Sequence, residues 1–152
     1  MPALTQTQTR RAEATWSGDL LTGNGTVRAG TSGAFGDLPI TWSARTESSG
    51  GKTSPEELVA AAHAACFSMA FSSGLAKRGT PPDQLDVTAE ITFDKLDPGW
   101  RITRSALTVR GRVPGISEQD FREAAEAAKV GCPISNALDD SIELTVDATL
   151  ES

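Results

Sequence analysis

Long apolar runs, basic clusters and internal repeats are all missing from this 152-residue chain. Each absence removes a class of function. With 20 acidic against 14 basic side chains, the formal charge of -6 offers no attraction to phosphate backbones or anionic lipid, so nucleic acid is not an expected partner. The longest apolar stretch, Leu58 to Phe71, is interrupted by His63 and Ser68. It falls short of the roughly 20 residues of a membrane span, so no membrane partner is expected either. The start, Met1 to Thr15, carries Arg10-Arg11 but no apolar core of a secretory signal, which makes the cytoplasm the expected compartment. Cysteine is scarce: there are two, and their separation fits neither a CxxC redox pair nor a zinc spacing. In a reducing compartment two such thiols read as catalytic, redox-sensing or simply buried.

What remains has the grammar of a single domain, 1–152, of α+β class. Apolar residues at 38% and charged residues at 22% lie outside the regime of disorder. Residues 11–46 are rich in Gly, Ser and Thr, with extended candidates Ala14-Thr15-Trp16 and Ile40-Thr41-Trp42, and read as a small antiparallel β meander. The portion 53–152 begins with a capping box: Ser54 as N-cap, Pro55 at the first helical position and Glu57 reaching back. The helix it starts is alanine-rich, apolar nearly all round and stopped near Arg78 by Gly79 and Pro81-Pro82, so it is expected to be central and buried. Alternation at Val87, Ala89, Ile91 and Phe93, and again at Leu107, Val109, Gly111 and Val113, predicts an antiparallel hairpin turning at Asp97-Pro98-Gly99. Ser117 caps a second helix whose apolar stripe is Phe121, Ala124, Ala125 and Ala128. Cys132-Pro133 opens a short helical turn through Leu138, and Ile142, Leu144, Val146, Ala148 and Leu150 alternate in a closing strand.

Few residues can carry chemistry. Cys66 sits mid-helix among apolar neighbours, where a thiol's pKa rises and its reactivity falls unless a cation is brought to it. Cys132, just before Pro133, stands at a helix N-terminus whose free N–H groups favour a thiolate. His63 lies three residues before Cys66 and shares its helical face, as a base, a ligand or a satisfied core histidine.

Two motifs carry a resemblance. The run from Thr53-Ser54-Pro55-Glu56-Glu57 through His63-Ala64-Ala65-Cys66-Phe67-Ser68-Met69-Ala70 resembles the central helix of the osmotically inducible protein C (OsmC) family. Lys129-Val130-Gly131-Cys132-Pro133-Ile134-Ser135-Asn136 is similar to the segment around that family's second cysteine. Trp16-Ser17-Gly18 and Phe93-Asp94-Lys95-Leu96 extend the likeness over nearly the whole chain. The resemblance implies a cofactor-free thiol peroxidase of the OsmC and organic hydroperoxide resistance (Ohr) superfamily, folded as an intertwined homodimer. On its motif Cys66 falls at the peroxidatic cysteine, Cys132 at the resolving one, Glu56 at the motif glutamate and Arg45, at the end of an expected strand Ile40 to Arg45, at the arginine of the OsmC branch. Arg28 is the alternative arginine, because the Ohr branch takes its own from a Gly-rich N-terminal segment. Ohr proteins commonly carry Tyr where this chain has His63, which favours the OsmC branch.

On this reading Cys66 attacks an organic hydroperoxide, Cys132 resolves the sulfenic acid as a disulfide, and an external dithiol such as a dihydrolipoyl group resets the pair. Glu56 and Cys66 are ten residues apart, about 15 Å along one straight helix, so a shared site would join two subunits. Two other readings compete. One is a redox-sensing or ligand-binding dithiol protein without turnover; the other is a metal-binding structural protein using His63, Cys66 and Cys132.

Overall fold

A computed structural model of the chain describes residues 2–138 and 140–151. They form two compact units that divide after Pro55.

In the first unit, β1 (Ala12–Ser17), β2 (Asn24–Ala29) and β3 (Leu38–Ile40) make an antiparallel meander, as the turn-rich sequence predicts. Gly25 lies in β2 opposite Trp16, where an added Cβ would stand 2.5 Å from the Thr15 carbonyl oxygen and 2.8 Å from the indole. The expected strand Ile40 to Arg45 is not extended throughout. It stops at Ile40 and gives way to α1 (Trp42–Thr46), so Arg45 is helical. Thr41 is the reason: itself still extended, it accepts a hydrogen bond at its hydroxyl from the Ala44 N–H at 3.1 Å and caps the turn, so the chain is helical from Trp42 onward.

The second unit opens with α2 (Pro55–Lys77), which starts one residue after Ser54, and continues through the hairpin β4 (Gln84–Leu96) and β5 (Gly99–Arg112). Then come α3 (Glu118–Gly131), α4 (Pro133–Leu138) and β6 (Glu143–Glu151). The Ser117 hydroxyl caps α3 by accepting from the Asp120 N–H, and the buried stripe of α3 is Phe121, Ala124, Ala125 and Ala128. The sheet order is β4-β5-β6. The α+β class holds, but the further strands are not all antiparallel: β6 runs parallel to β5, with Leu107 beside Val146 and Val109 beside Ala148. The helices α3 and α4 form a crossover that returns the chain to the start of β5, and a strand entered that way must be parallel.

The core lies where α2 and α3 meet the sheet. Phe67, Phe71 and Leu75 of α2 join Leu107 and Val109 of β5 and Phe121 of α3. Phe67 and Phe71 have ring centroids 5.5 Å apart, and Phe71 and Phe121 5.0 Å apart, within the range of favourable tilted pairs. Burial of α2 departs from the expectation of a helix enclosed all round. In the single chain its apolar burial is one stripe, His63, Phe67, Phe71 and Leu75 at intervals of four, while Met69 on another face is 69% exposed. At 23 residues α2 is also longer than the apolar stretch read from sequence and matches a membrane span in length and composition, yet this stripe packs into the core of its own unit.

Gly111 of β5 marks the tightest point of that packing. A Cβ there would lie 2.6 Å from the Phe121 ring and 3.0 Å from Leu85, and the ring is backed by Phe71. Gly111→Ala is therefore expected to destabilise the protein by about 1–3 kcal/mol through overpacking. A urea melt should show a lower midpoint with an unchanged slope; an unchanged midpoint would mean that the ring moves aside freely.

Candidate active site

The site is built at one junction of the chain. The backbone N–H of Cys132 closes the end of α3 on the Ala128 carbonyl at 2.9 Å, and Pro133 begins α4 at once. A residue preceding proline is pushed to extended backbone, and Cys132 accordingly has φ -70° and ψ 122°. This kink points the thiol back at the first turn of α4, where its sulfur accepts from the N–H groups of Ser135 and Ile134 and from the Ser135 hydroxyl. The Cys132 side chain is fully buried.

Cys66 comes to the same place from the middle of α2. The two thiols are free and within hydrogen-bonding reach of each other, and Cys66 is only partly buried. Their acidities diverge. Burial, followed by the adjoining Cys132 sulfur, pushes the Cys66 thiol above the ordinary cysteine value. Burial also raises Cys132, but the Ser135 N–H, the Cys66 thiol, the Ser135 hydroxyl and the Ile134 N–H together outweigh it and bring that thiol below the ordinary value. Both directions follow the settings read from sequence: an apolar mid-helix thiol and a thiol facing N–H donors.

His63, one turn before Cys66, has no exposed surface. Its Nδ1 meets the Ser105 hydroxyl at 2.6 Å and its Nε2 meets the Ser135 hydroxyl at 2.8 Å. Burial holds its pKa below the usual imidazole value, so the ring is neutral, with one nitrogen donating and one accepting. It is a satisfied core histidine. With both nitrogens occupied by serines it has no lone pair to offer a metal, and no cluster of three or more metal-binding side chains occurs among the described residues.

The OsmC family, described as OsmC-like protein, matches residues 48–147 of this chain. Peroxiredoxin OsmC of Escherichia coli (strain K12) is 43% identical over 143 residues, covering 94% of this chain and 97% of that protein. The chain belongs to the OsmC family. Organic hydroperoxide resistance protein-like 2 of Staphylococcus epidermidis is more distant, 30% identical over 104 residues, or 67% of this chain and 71% of that one. The solved structure of the organic hydroperoxide resistance protein OhrB of Bacillus subtilis shares the fold, with a TM-score of 0.70 at 22% identity, covering 91% of this chain and 98% of its own.

The remaining candidates of this OsmC chain are Glu56, Arg45 and Arg28, each described within its own unit. Glu56 is buried in the first turn of α2, and α2 runs unbroken from there to Cys66 and beyond. Arg45 of α1 places its guanidinium 5.7 Å from the centre of the Trp42 ring and lines a cavity of about 260 Å³ with Trp16, Leu20, Ile40 and Pro55. Arg28 of β2 is ion-paired to Glu13 at 2.9 Å. Sequence reading missed Ser105 and Ser135. A signal existed for each: Ser105 is in phase with Leu107, Val109 and Gly111 on the buried face of β5, and Ser135 follows Cys132 by three residues in the first turn of α4.

The neutral state of His63 sets a pH dependence. Its folded pKa lies below its unfolded value of about 6.5, so its contribution to stability is complete above that pH and is lost as pH falls from there toward the folded pKa. We expect stability in urea to decline below pH ~6.5 by at most about 1.4 kcal/mol per pH unit from this residue, and the decline to be smaller in His63→Gln. The histidine ring resonance, unique in this chain, should not titrate near 6.5 in the folded protein. A normal midpoint would show that the ring is not held neutral.

Proposed function

We propose that this OsmC-family chain is a thiol-dependent peroxidase that reduces organic hydroperoxides, with Cys66 as the attacking sulfur and Cys132 as its resolving partner. The observation that carries the reading is the asymmetric pair: two free thiols in contact, of which the fully buried one is the more acidic and the accessible one is not. A hydroperoxide arriving from solvent meets Cys66. Its thiolate displaces alkoxide from the O–O bond and becomes a sulfenic acid, and Cys132 beside it attacks as a thiolate and closes the disulfide before further oxidation. The names of the relatives, a peroxiredoxin and an organic hydroperoxide resistance protein, point to the same chemistry and substrate class.

Burial and the neighbouring sulfur raise the Cys66 pKa more than the Ile134 N–H lowers it, so its own surroundings disfavour the thiolate. A cation must be supplied, and Arg45 is our candidate: its guanidinium stays charged, stabilises a thiolate and donates to the oxygen that develops negative charge. Arg28, ion-paired to Glu13 at 2.9 Å, is the alternative. Glu56 would orient the arginine. Since α2 is unbroken, the about 15 Å of helix between Glu56 and Cys66 argues for a homodimer in which each site joins Cys66 of one subunit to Glu56 of the other. The alanine-rich, half-exposed faces of α2 suit close approach of a second helix. Disulfide turnover needs an external dithiol, a dihydrolipoyl group or a similar reductant, in a reducing compartment such as the cytoplasm.

Cys66→Ser should abolish peroxide consumption, whereas Cys132→Ser should react once and accumulate sulfenic or overoxidised Cys66, as read by mass spectrometry after one equivalent of an organic hydroperoxide. Continued turnover by Cys66→Ser would sink the assignment, and formation of the disulfide without catalytic turnover in the wild type would favour the redox-sensor reading. Arg45→Ala should slow alkylation of Cys66 near neutral pH about tenfold or more, the loss expected when a thiol's pKa rises by one unit, and Arg28→Ala should not. The shared site has its own test. A purified heterodimer of one Glu56→Ala and one Cys66→Ser subunit contains one site lacking both residues and one intact, so about half the wild-type activity should return. A heterodimer no more active than its parents would show that each chain builds its own site.

A further inference from the structure

The mechanism above leaves the most completely buried polar cluster among the described residues unused. Ser105 of β5, His63 of α2 and Ser135 of α4 are each 0–1% exposed and stand in line: Ser105 Oγ at 2.6 Å from His63 Nδ1, and His63 Nε2 at 2.8 Å from Ser135 Oγ. Ser135 stands in the first turn of α4, three residues after Cys132, and its hydroxyl is among the groups that lower the Cys132 pKa. Three elements distant in sequence thus meet at the turn that faces this thiol.

We propose that His63 is a positioning residue for Cys132: it holds the Ser135 hydroxyl so that its proton is directed at the Cys132 sulfur, preparing that sulfur as the thiolate that attacks oxidised Cys66. The inference rests on the resolving role of Cys132 stated above. Its logic is a count of donors and acceptors. A thiolate only accepts, so the Ser135 proton must point at sulfur; the Ser135 oxygen then accepts from His63 Nε2–H, and His63 Nδ1, lacking a proton, accepts from the Ser105 hydroxyl. A neutral imidazole satisfies this order in one tautomer, and every hydrogen bond in the line points toward the sulfur. Without the ring, the Ser135 hydroxyl would lose the partner that fixes its rotamer.

The step it serves balances as follows. The Cys132 thiolate donates its electron pair to the Cys66 sulfenic sulfur, the S–S bond forms, the S–O bond breaks, and hydroxide leaves and takes a proton to become water. Cys66 is reduced and Cys132 oxidised by one electron each relative to their preceding states. When an external dithiol later attacks the accessible Cys66 sulfur, Cys132 departs as a thiolate, and the same hydroxyl stabilises it as a leaving group.

The chain contains no tyrosine, so the ultraviolet absorbance of a thiolate can be titrated without tyrosinate beneath it. In a Cys66→Ser background that signal reports Cys132 alone. Adding Ser135→Ala or His63→Leu should move its midpoint upward by about one pH unit, the size expected for losing one hydrogen bond to a charged acceptor. Ser135→Thr and His63→Gln, which keep a donor in place, should restore most of the shift. In proteins retaining Cys66, quench-flow mass spectrometry after one equivalent of hydroperoxide should show the sulfenic form persisting about tenfold longer in Ser135→Ala than in wild type at neutral pH. Unchanged midpoints in folded Ser135→Ala and His63→Leu proteins would overturn the proposal, as would a shift in Ser135→Ala that folded His63→Leu does not share. Should His63→Leu fail to fold, the comparison of Ser135→Ala with Ser135→Thr still decides, because a merely structural serine would not move a thiolate titration. A wild type that forms no disulfide with hydroperoxide would instead remove the resolving role of Cys132, a failure that the titration does not share.

Discussion

A neutral imidazole buried without partners would leave both a donor and an acceptor unmade, at a cost of about 1–3 kcal/mol for each. His63 avoids this only because Ser105 and Ser135 stand on either side of its ring. The same two hydrogen bonds fix α2 against β5 and against α4, and α4 is the turn that carries the donors facing Cys132. The elements that carry the two sulfurs are thus tied together by a polar contact inside an otherwise apolar core. Aromatic packing of Phe67, Phe71 and Phe121 supplies the cohesion, but it could tolerate small slides of one helix on another that a ring hydrogen-bonded at both nitrogens does not.

Much of this was legible in the residues, and the limits have physical causes. The capping box at Ser54, the Ser117 cap, the alternation of the hairpin and the stop at Cys132-Pro133 are local signals, and each element formed where its signal stood. Arg45 is helical rather than extended because a single side-chain cap at Thr41 ends the extended segment before Trp42, and such a cap looks like any other threonine in a β-rich stretch. The parallel entry of β6 was missed because strand direction is decided by the crossover before it, while alternation of side chains is identical in both directions. Burial of α2 on one stripe was hidden by its alanines, which are compatible with every face of a helix and so erase the periodicity that would have shown which face is covered.

The site divides in the same way. Cys66, Cys132, Glu56 and Arg45 are named from motifs as candidates, and the opposite shifts of the two thiols follow from a mid-helix position and a proline-started turn. The serines could not be named from motif. Ser105 and Ser135 are 30 residues apart in chain order and ordinary in type, and they acquire meaning only when the sheet and α4 bring them to opposite edges of one ring. Polar residues at inward positions of an alternating strand are the warning that such a partner exists, and Ser105 was in that position.

The acidities also explain why two thiols of unequal burial make sense as a pair. A single thiol that had to be both accessible to a bulky hydroperoxide and surrounded by enough donors to stay ionised would face conflicting demands, since each donor group occupies space the substrate needs. Here the demands are divided. Cys132 is enclosed by N–H and hydroxyl donors that no substrate must pass, and Cys66 is left partly open with no such shell from α2 itself. The division leaves the Cys66 thiol above the ordinary cysteine value, which a charge brought from outside its own helix would offset. An arginine suits that task because its guanidinium remains protonated in any setting the protein can offer.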